Sequence, residues 1–353
     1  MAEPGPRNLI TDVPGLLVGQ AEDAGGITGT TVVLAETPAV AAVDVRGGAP
    51  GSRETELLDP AALVSRIDAI VLSGGSAFGL DAAGGVMEGL HAMRRGFPVR
   101  DVLVPIVPSA ILFDLGFPGR LPWSGEPPYR RLGRAALACA GRDFALGNAG
   151  AGQGAKAGRL KGGIGSASFR LGDGAMVGAL VAVNSWGSVV RPDCGRLWAA
   201  ELALAGEIAA QPPLPAGLLD PADFSACAAP APGANIGANI GANIGANTTI
   251  AVVATDAPLD KSGCRRLAIM AQDGLAQAIR PAHTPFDGDT VFALSVSRVN
   301  PGGDPITVDP AHLARLGSAA ASCLARAIMR AVMEAGPLGG FPSWRQLWGD
   351  AAG

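Results

Sequence analysis

Apolar residues in this chain fall into short β-branched runs broken by glycine-rich turns, with longer helical stretches between them. Runs at 30–34 and 39–45, on either side of Thr37-Pro38, predict two strands joined by a turn. Residues 67–72 predict a buried strand that enters Ser73-Gly-Gly-Ser-Ala-Phe-Gly79 and then a helix ending near Arg95. Residues 102–107 and 111–113 are strand-like, and 134–140 belong to a helix. Beyond the glycine-rich stretch 148–163, Gly172-Asp173-Gly174 joins strands at 164–171 and 176–183, a hairpin signal. Residues 211–247, rich in Pro, Gly and Ala, predict an exposed connector. A strand at 249–254, a helix at 261–279, a strand at 290–297 and a helix at 310–334 close the chain. Strands next to strands, with helices at intervals, predict stacked sheets covered by helices in one intertwined domain.

Composition narrows the class. The 353 residues are 48% hydrophobic and 16% charged, enough to bury a large core and unlike a disordered chain. A net charge of −4 with no basic block argues against nucleic acid. Five scattered cysteines without a CxxC pair predict reduced thiols rather than disulfides or zinc. No apolar leader segment and no run of 18 apolar residues is present, so the expectation is a soluble, cytoplasmic protein without membrane association.

Candidate chemistry concentrates where the connector ends. Gly-Ala-Asn-Ile occurs three times from Gly233, and the fourth unit reads Gly245-Ala246-Asn247-Thr248. A small-residue loop that feeds a hydroxyl residue at the head of a strand suits a self-cleaving precursor. Attack of Thr248 on the Asn247 carbonyl would leave a threonine with a free α-amine beside its own hydroxyl. A plain flexible linker, with the repeat as a slack tether, is the alternative. Asn247-Thr248-Thr249 also fits a glycosylation acceptor, which requires a secretory route.

Other motifs are weaker. Ser73–Gly79 between strand and helix could cradle an anion or oxyanion, or be a tight turn. Gly150–Ala155 fits GxGxxA, but no apolar helix follows, so the dinucleotide reading fails. His283, Asp287 and Asp289 cluster before a strand, where they are catalytic or turn carboxylates, or metal ligands. His91 and His312 have no acidic neighbours at ligand spacing, so no metal site is expected. No GxSxG elbow occurs, and three histidines leave little for a conventional triad. A nucleophile that carries its own amine, of reference pKa about 7.7–8.0, needs no histidine.

Several segments together resemble the DmpA-like L-aminopeptidase/D-amidase family of self-processing N-terminal-nucleophile hydrolases. They are 8–19, Val45-Arg-Gly-Gly-Ala-Pro-Gly51, Leu72-Ser-Gly-Gly-Ser-Ala-Phe-Gly-Leu80, and Lys161-Gly-Gly-Ile-Gly-Ser-Ala-Ser168. Asn247-Thr-Thr-Ile250 and Asp287-Gly-Asp-Thr290 look most like the 6-aminohexanoate-oligomer (nylon-oligomer) hydrolase branch, with Thr as nucleophile. The resemblance spans about residues 8–334 and implies an α+β fold, a four-layer αββα sandwich shared with ornithine acetyltransferases. It also implies self-cleavage into a large subunit, 1–247, and a small one, 248–353, assembled as a tetramer of αβ units. Carried over by position, Thr248 is the nucleophile, Asn184 stabilises the oxyanion, and Asp287 and Asp289 orient the Thr248 amine and hydroxyl. Gly74 and Gly75 belong to the substrate or oxyanion loop. The branch's active-site Lys falls on Arg159, with Lys161 two residues on, and either could be the cation. Its Tyr falls on Phe113, which removes a hydroxyl. The implied activity is amide hydrolysis of short peptides or linear oligoamides without a cofactor. A β-peptidyl or L-aminopeptidase/D-amidase and an N-acyl transferase share the same nucleophile and are the alternatives.

Overall fold

The computed structural model describes residues 3–204, 206–216, 219–220, 223–228, 247–297 and 309–349. The Gly-Ala-Asn-Ile repeat and its expected slack lie outside the described residues.

Nine strands form one continuous sheet: β1 (Leu16–Asp23), β2 (Thr28–Val45), β3 (Ser52–Arg53), β4 (Arg66–Ser73), β5 (Ser109–Ile111), β6 (Gly163–Arg170), β7 (Met176–Asn184), β8 (Thr248–Thr255) and β9 (Thr290–Ser295). Their order is β6-β7-β8-β9-β2-β4-β5-β3, with β1 also on β2. Pairing is antiparallel except β8 with β9 and β4 with β5. Helices are α1 (Ala82–Ala92), α2 (Tyr129–Ala138), α3 (Lys261–Ala278), α4 (Pro310–Met333) and α5 (Trp344–Trp348).

β2 corrects the first expectation. Instead of two strands and a turn, 18 residues run on in one direction, with a register shift between Leu34 and Ala39. Pro38 has no N–H to give a ladder, and the chain absorbs it as an exposed irregularity rather than a reversal. The first half of β2 pairs with β1 and β4, the second with β9, so one strand joins two halves of the sheet. The expected strand at 102–107 is a three-residue arm of a small hairpin, Phe97–Val99 with Val102–Val104. β1 and α5 were not anticipated.

Three apolar clusters show how the halves stack. Val33, Ile70 and Leu72 from one half meet Leu180, Ile250, Val252 and Phe292 from the other. Alternate residues of β8, Ala251 and Val253, point the other way, onto Leu267, Leu275, Leu324 and Ile328 of α3 and α4. Val32 and Val71 face Val86 and Leu132 of α1 and α2. Burial on both faces explains why β8 reads as an unbroken apolar run rather than an alternating one. Asp260 caps α3 by accepting from Gly263 N at 2.6 Å, and Asp309 caps α4 ahead of Pro310.

Among the described residues of the connector, 213–216 and 223–225 are exposed, while Cys227 and Asn247 are buried and Ala228 N–H donates to Trp186 O at 2.8 Å.

Candidate active site

The sheet brings the predicted residues together. Antiparallel register sets Asn184, the last residue of β7, opposite Thr248, the first of β8. On the other edge of β8, Asn247 bridges to Asp287, and Gly288 N–H donates to Asn247 O at 3.1 Å. The Thr248 hydroxyl donates to that same carbonyl oxygen. Thr248, Asn184, Asp287 and Asp289 are all at most 2% exposed.

A glycine clamp holds the aspartate segment. Arg46 and Gly47 N–H groups donate to Asp289 O, at 3.0 and 3.2 Å, and Ala49 N–H donates to Asp287 O at 2.8 Å. A Cβ on Gly47 would stand 2.2 Å from Asp289 N, so no larger residue fits. A Cβ on Gly288 would stand 2.8 Å from the Thr248 hydroxyl. Glycine there leaves the flank of the Thr248 hydroxyl open.

The two carboxylates have different partners. Asp289 accepts Thr249 N–H on Oδ1 at 2.8 Å and the His283 N–H on Oδ2 at 3.0 Å. Asp287 accepts Trp186 N–H at 3.0 Å and the Thr284 hydroxyl and N–H. Burial, with the charge of Asp289 adding, pushes Asp287 up to about 6, although the Thr284 and Trp186 donors oppose this. Ionised Asp287 is therefore the major form only above about pH 6. As the pH falls through that value the carboxylate takes a proton, and turnover is expected to show an ionisation near 6. A profile of kcat/KM from pH 4.5 to 9 tests this; no ionisation near 6 would mean that Asp287 is not the group.

Asn184 is fixed at both ends of its amide: Nδ2 donates to Phe113 O at 3.2 Å, and Oδ1 accepts Lys156 N–H at 3.0 Å. Phe113 thus meets the site through its carbonyl. Arg159 is exposed, and no ion pair joins it to either aspartate among the described residues. Lys161 is fully buried, its ammonium donating to Gly152 O at 2.9 Å and Gly162 O at 2.8 Å. Burial brings it down to about 7, with Asp114 opposing. Of the cations in this stretch, Lys156 has its backbone against Asn184, and burial lowers its ammonium too.

Gly74 and Gly75 do not offer free donors in this chain. Gly74 N–H donates to Gly29 O at 2.9 Å, and Gly75 N–H to Asp114 Oδ1 at 2.8 Å. Gly75 has φ +89°, and a Cβ there would meet the Tyr129 ring at 2.0 Å. The loop is a close-packed turn over Asp114, which also accepts the Thr28 hydroxyl at 2.6 Å and is raised to about 6 by burial.

Asp114, Lys156 and His283 are the site's unanticipated neighbours. Asp114 directly follows the Phe113 position, and a carboxylate ending an apolar run was the available signal. His283 was considered only as a metal ligand; its ring Nδ1 lies 2.9 Å from Asp289 Oδ2.

Comparison with known proteins identifies the family. Residues 8–344 match peptidase family S58. An uncharacterised aminopeptidase of Mycobacterium tuberculosis is 46% identical over 98% of this chain and 99% of its own. The 6-aminohexanoate-oligomer endohydrolase of Paenarthrobacter ureafaciens is 31% identical over 84% of this chain and 77% of its own. A solved β-aminopeptidase of Burkholderia sp. superposes with a TM-score of 0.69 at 25% identity, covering 100% of this chain and 95% of that one. The L-aminopeptidase D-Ala-esterase/amidase of Ochrobactrum anthropi, described as a variant of the Ntn hydrolase fold, gives 0.67 at 20% identity over 99% and 94%, and bears on the fold alone. Matched nearly end to end by a peptidase family and by amide-cleaving relatives, the chain belongs to peptidase family S58 and is an amide-bond hydrolase.

Proposed function

We propose that the chain cuts itself between Asn247 and Thr248, and that the freed Thr248 then hydrolyses amide bonds in short peptides with free amino termini. The observation that carries this reading is the Thr248 hydroxyl held on the Asn247 carbonyl, at the head of a strand flanked by Asn184 and Asp289.

In self-cleavage the Thr248 Oγ adds to the Asn247 carbonyl carbon, and its proton passes to the departing nitrogen. The C–N bond breaks, leaving an ester between the Asn247 acyl group and Oγ and a free α-amine. Water then hydrolyses the ester, giving an Asn247 carboxylate and restoring the hydroxyl. Gly288 N–H, already on the Asn247 oxygen, is placed to stabilise the negative charge that develops there.

Turnover repeats the same exchange on a substrate. The α-amine takes the Oγ proton as the oxygen attacks and returns it to the leaving amine; water releases the acyl group. Asn184, fixed by Phe113 O and Lys156 N–H, is the side-chain donor to the substrate oxyanion.

The relatives named aminopeptidases are more alike to this chain than the endohydrolases, which supports a reading with peptides first and linear oligoamides second among substrates. A four-layer αββα arrangement, assembly as a tetramer of cut units, and a cytoplasmic location belong to the same proposal.

A denaturing gel of the purified protein, with N-terminal sequencing of the smaller band, tests it. The expected result is two bands, with the smaller beginning Thr248-Thr249-Ile250. Full activity in a single intact chain would rule the reading out.

A further inference from the structure

His283 takes no part in the chemistry above, yet among the described residues its ring is the side chain that hydrogen-bonds Asp289. Its ring Nδ1 and its own backbone N–H converge on Asp289 Oδ2, at 2.9 and 3.0 Å, while Oδ1 is left to Thr249 N–H. Backbone at residue 283 is left-handed, φ +58°, a conformation that few side chains tolerate and that histidine and asparagine adopt more readily than most. The imidazole side chain is 21% exposed, and the carboxylate it touches 2%.

Two buried carboxylates two residues apart repel each other, so donors that grip one of them hold the pair in place. Other charged groups around His283 are engaged elsewhere. From the clamp loop, Arg46 pairs with Asp44 at 2.7 Å. Arg280 lies over the Trp198 ring at 4.3 Å, and the Lys161 ammonium is held by carbonyls. From the connector, the Cys227 thiol is buried near Arg280 O, and burial raises it. Among the described residues, His283 is the cation-capable side chain in contact with either aspartate.

We propose that His283 is a positioning residue of the hydrolytic centre: it grips Asp289 Oδ2 and keeps Oδ1 on the head of the Thr248 strand. The inference rests on the Thr248 nucleophile, because the segment it orders is the one that carries that residue.

The test compares wild type, His283→Ala and His283→Asn as full chains, each sequenced at the N-terminus of its small fragment before any rate is measured. Hydrolysis of an alanyl anilide is then followed from pH 4.5 to 9. His283→Ala is expected to lower kcat about 10–100-fold with KM little changed, since misplacement of an orienting group is felt in the transition state. His283→Asn, which restores a donor and suits the left-handed backbone, should recover most of the lost kcat. If His283→Ala fails to fold, His283→Gly, which removes the ring and also suits the left-handed backbone, takes its place. Wild-type kcat in both variants would overturn the inference, as would an equal loss in both, which marks a purely structural ring. An intact wild-type chain, seen at the sequencing step, removes the nucleophile reading and this inference with it. A Thr248 N-terminus with indifferent variants removes only this one.

Discussion

Thr248→Ala should remain a single chain of 353 residues and show no turnover above background. The substitution removes the Thr248 hydroxyl from the Asn247 carbonyl oxygen but leaves the Gly288 N–H on that oxygen, so the local fold has no buried acceptor left unmet. Loss of cutting would then report chemistry and not collapse. Two activities vanish together because the same oxygen serves both. Thr248→Ser retains a nucleophilic hydroxyl and should still cut itself, more slowly, since serine lacks the methyl group that restricts χ1 in a strand. Mass spectrometry of the purified variants, beside an anilide assay, checks all three statements. A cut Thr248→Ala chain, or an uncut active one, would place the nucleophile elsewhere.

Asp289→Asn should cost about 10²–10⁴-fold in both self-cleavage and turnover. The carboxylate oxygens accept from Thr249 N–H, His283 N–H and the His283 ring. An asparagine has one acceptor oxygen, so its NH2 must face one of these donors, and the head of β8 loses its anchor. The metal alternative makes a different forecast for the same residues. Asp287 and Asp289 are already filled with N–H and O–H donors, and the His283 ring is turned onto Asp289. Prolonged dialysis against EDTA is accordingly expected to leave turnover unchanged. Recovery of a dialysed, inactive enzyme on adding zinc or manganese would make these residues ligands.

The sequence showed the parts of the site more clearly than their meeting. β-Branched runs and the Gly172-Asp173-Gly174 turn located β6, β7 and β8 within a residue or two, because both faces of these strands are buried. β1 escaped notice because Gly19, Gln20 and Glu22 interrupt its pattern. Gly19 is explained only by tertiary contact: a Cβ there would fall 1.8 Å from the Ala136 carbonyl of α2. Thr248 and the Asp287-Gly-Asp289 turn were visible as motifs, but that Asn184 lies opposite Thr248 is a fact of register between strands 64 residues apart in number. Position pointed to Arg159 or Lys161 as the cation, and the structure adds Lys156, whose backbone N–H touches Asn184. The loop at Gly74 and Gly75 allowed either an oxyanion cradle or a tight turn, and the buried carboxylate of Asp114 beneath it accounts for the turn.

The strand order gives the proposed cut a consequence for the history of each molecule. β8 and β9 come from beyond residue 247, yet they lie between β7 and β2, which come from before it. Neither piece alone could close the sheet. The uncut chain finds its fold as one molecule, in a search whose rate does not depend on concentration. Once severed and unfolded, the two pieces must first find each other in solution, at the entropic cost of association. The covalent link is then a folding aid used once. Scission would convert a reversible equilibrium into a state guarded by its unfolding barrier, so that the working enzyme persists by kinetics rather than by its ability to refold.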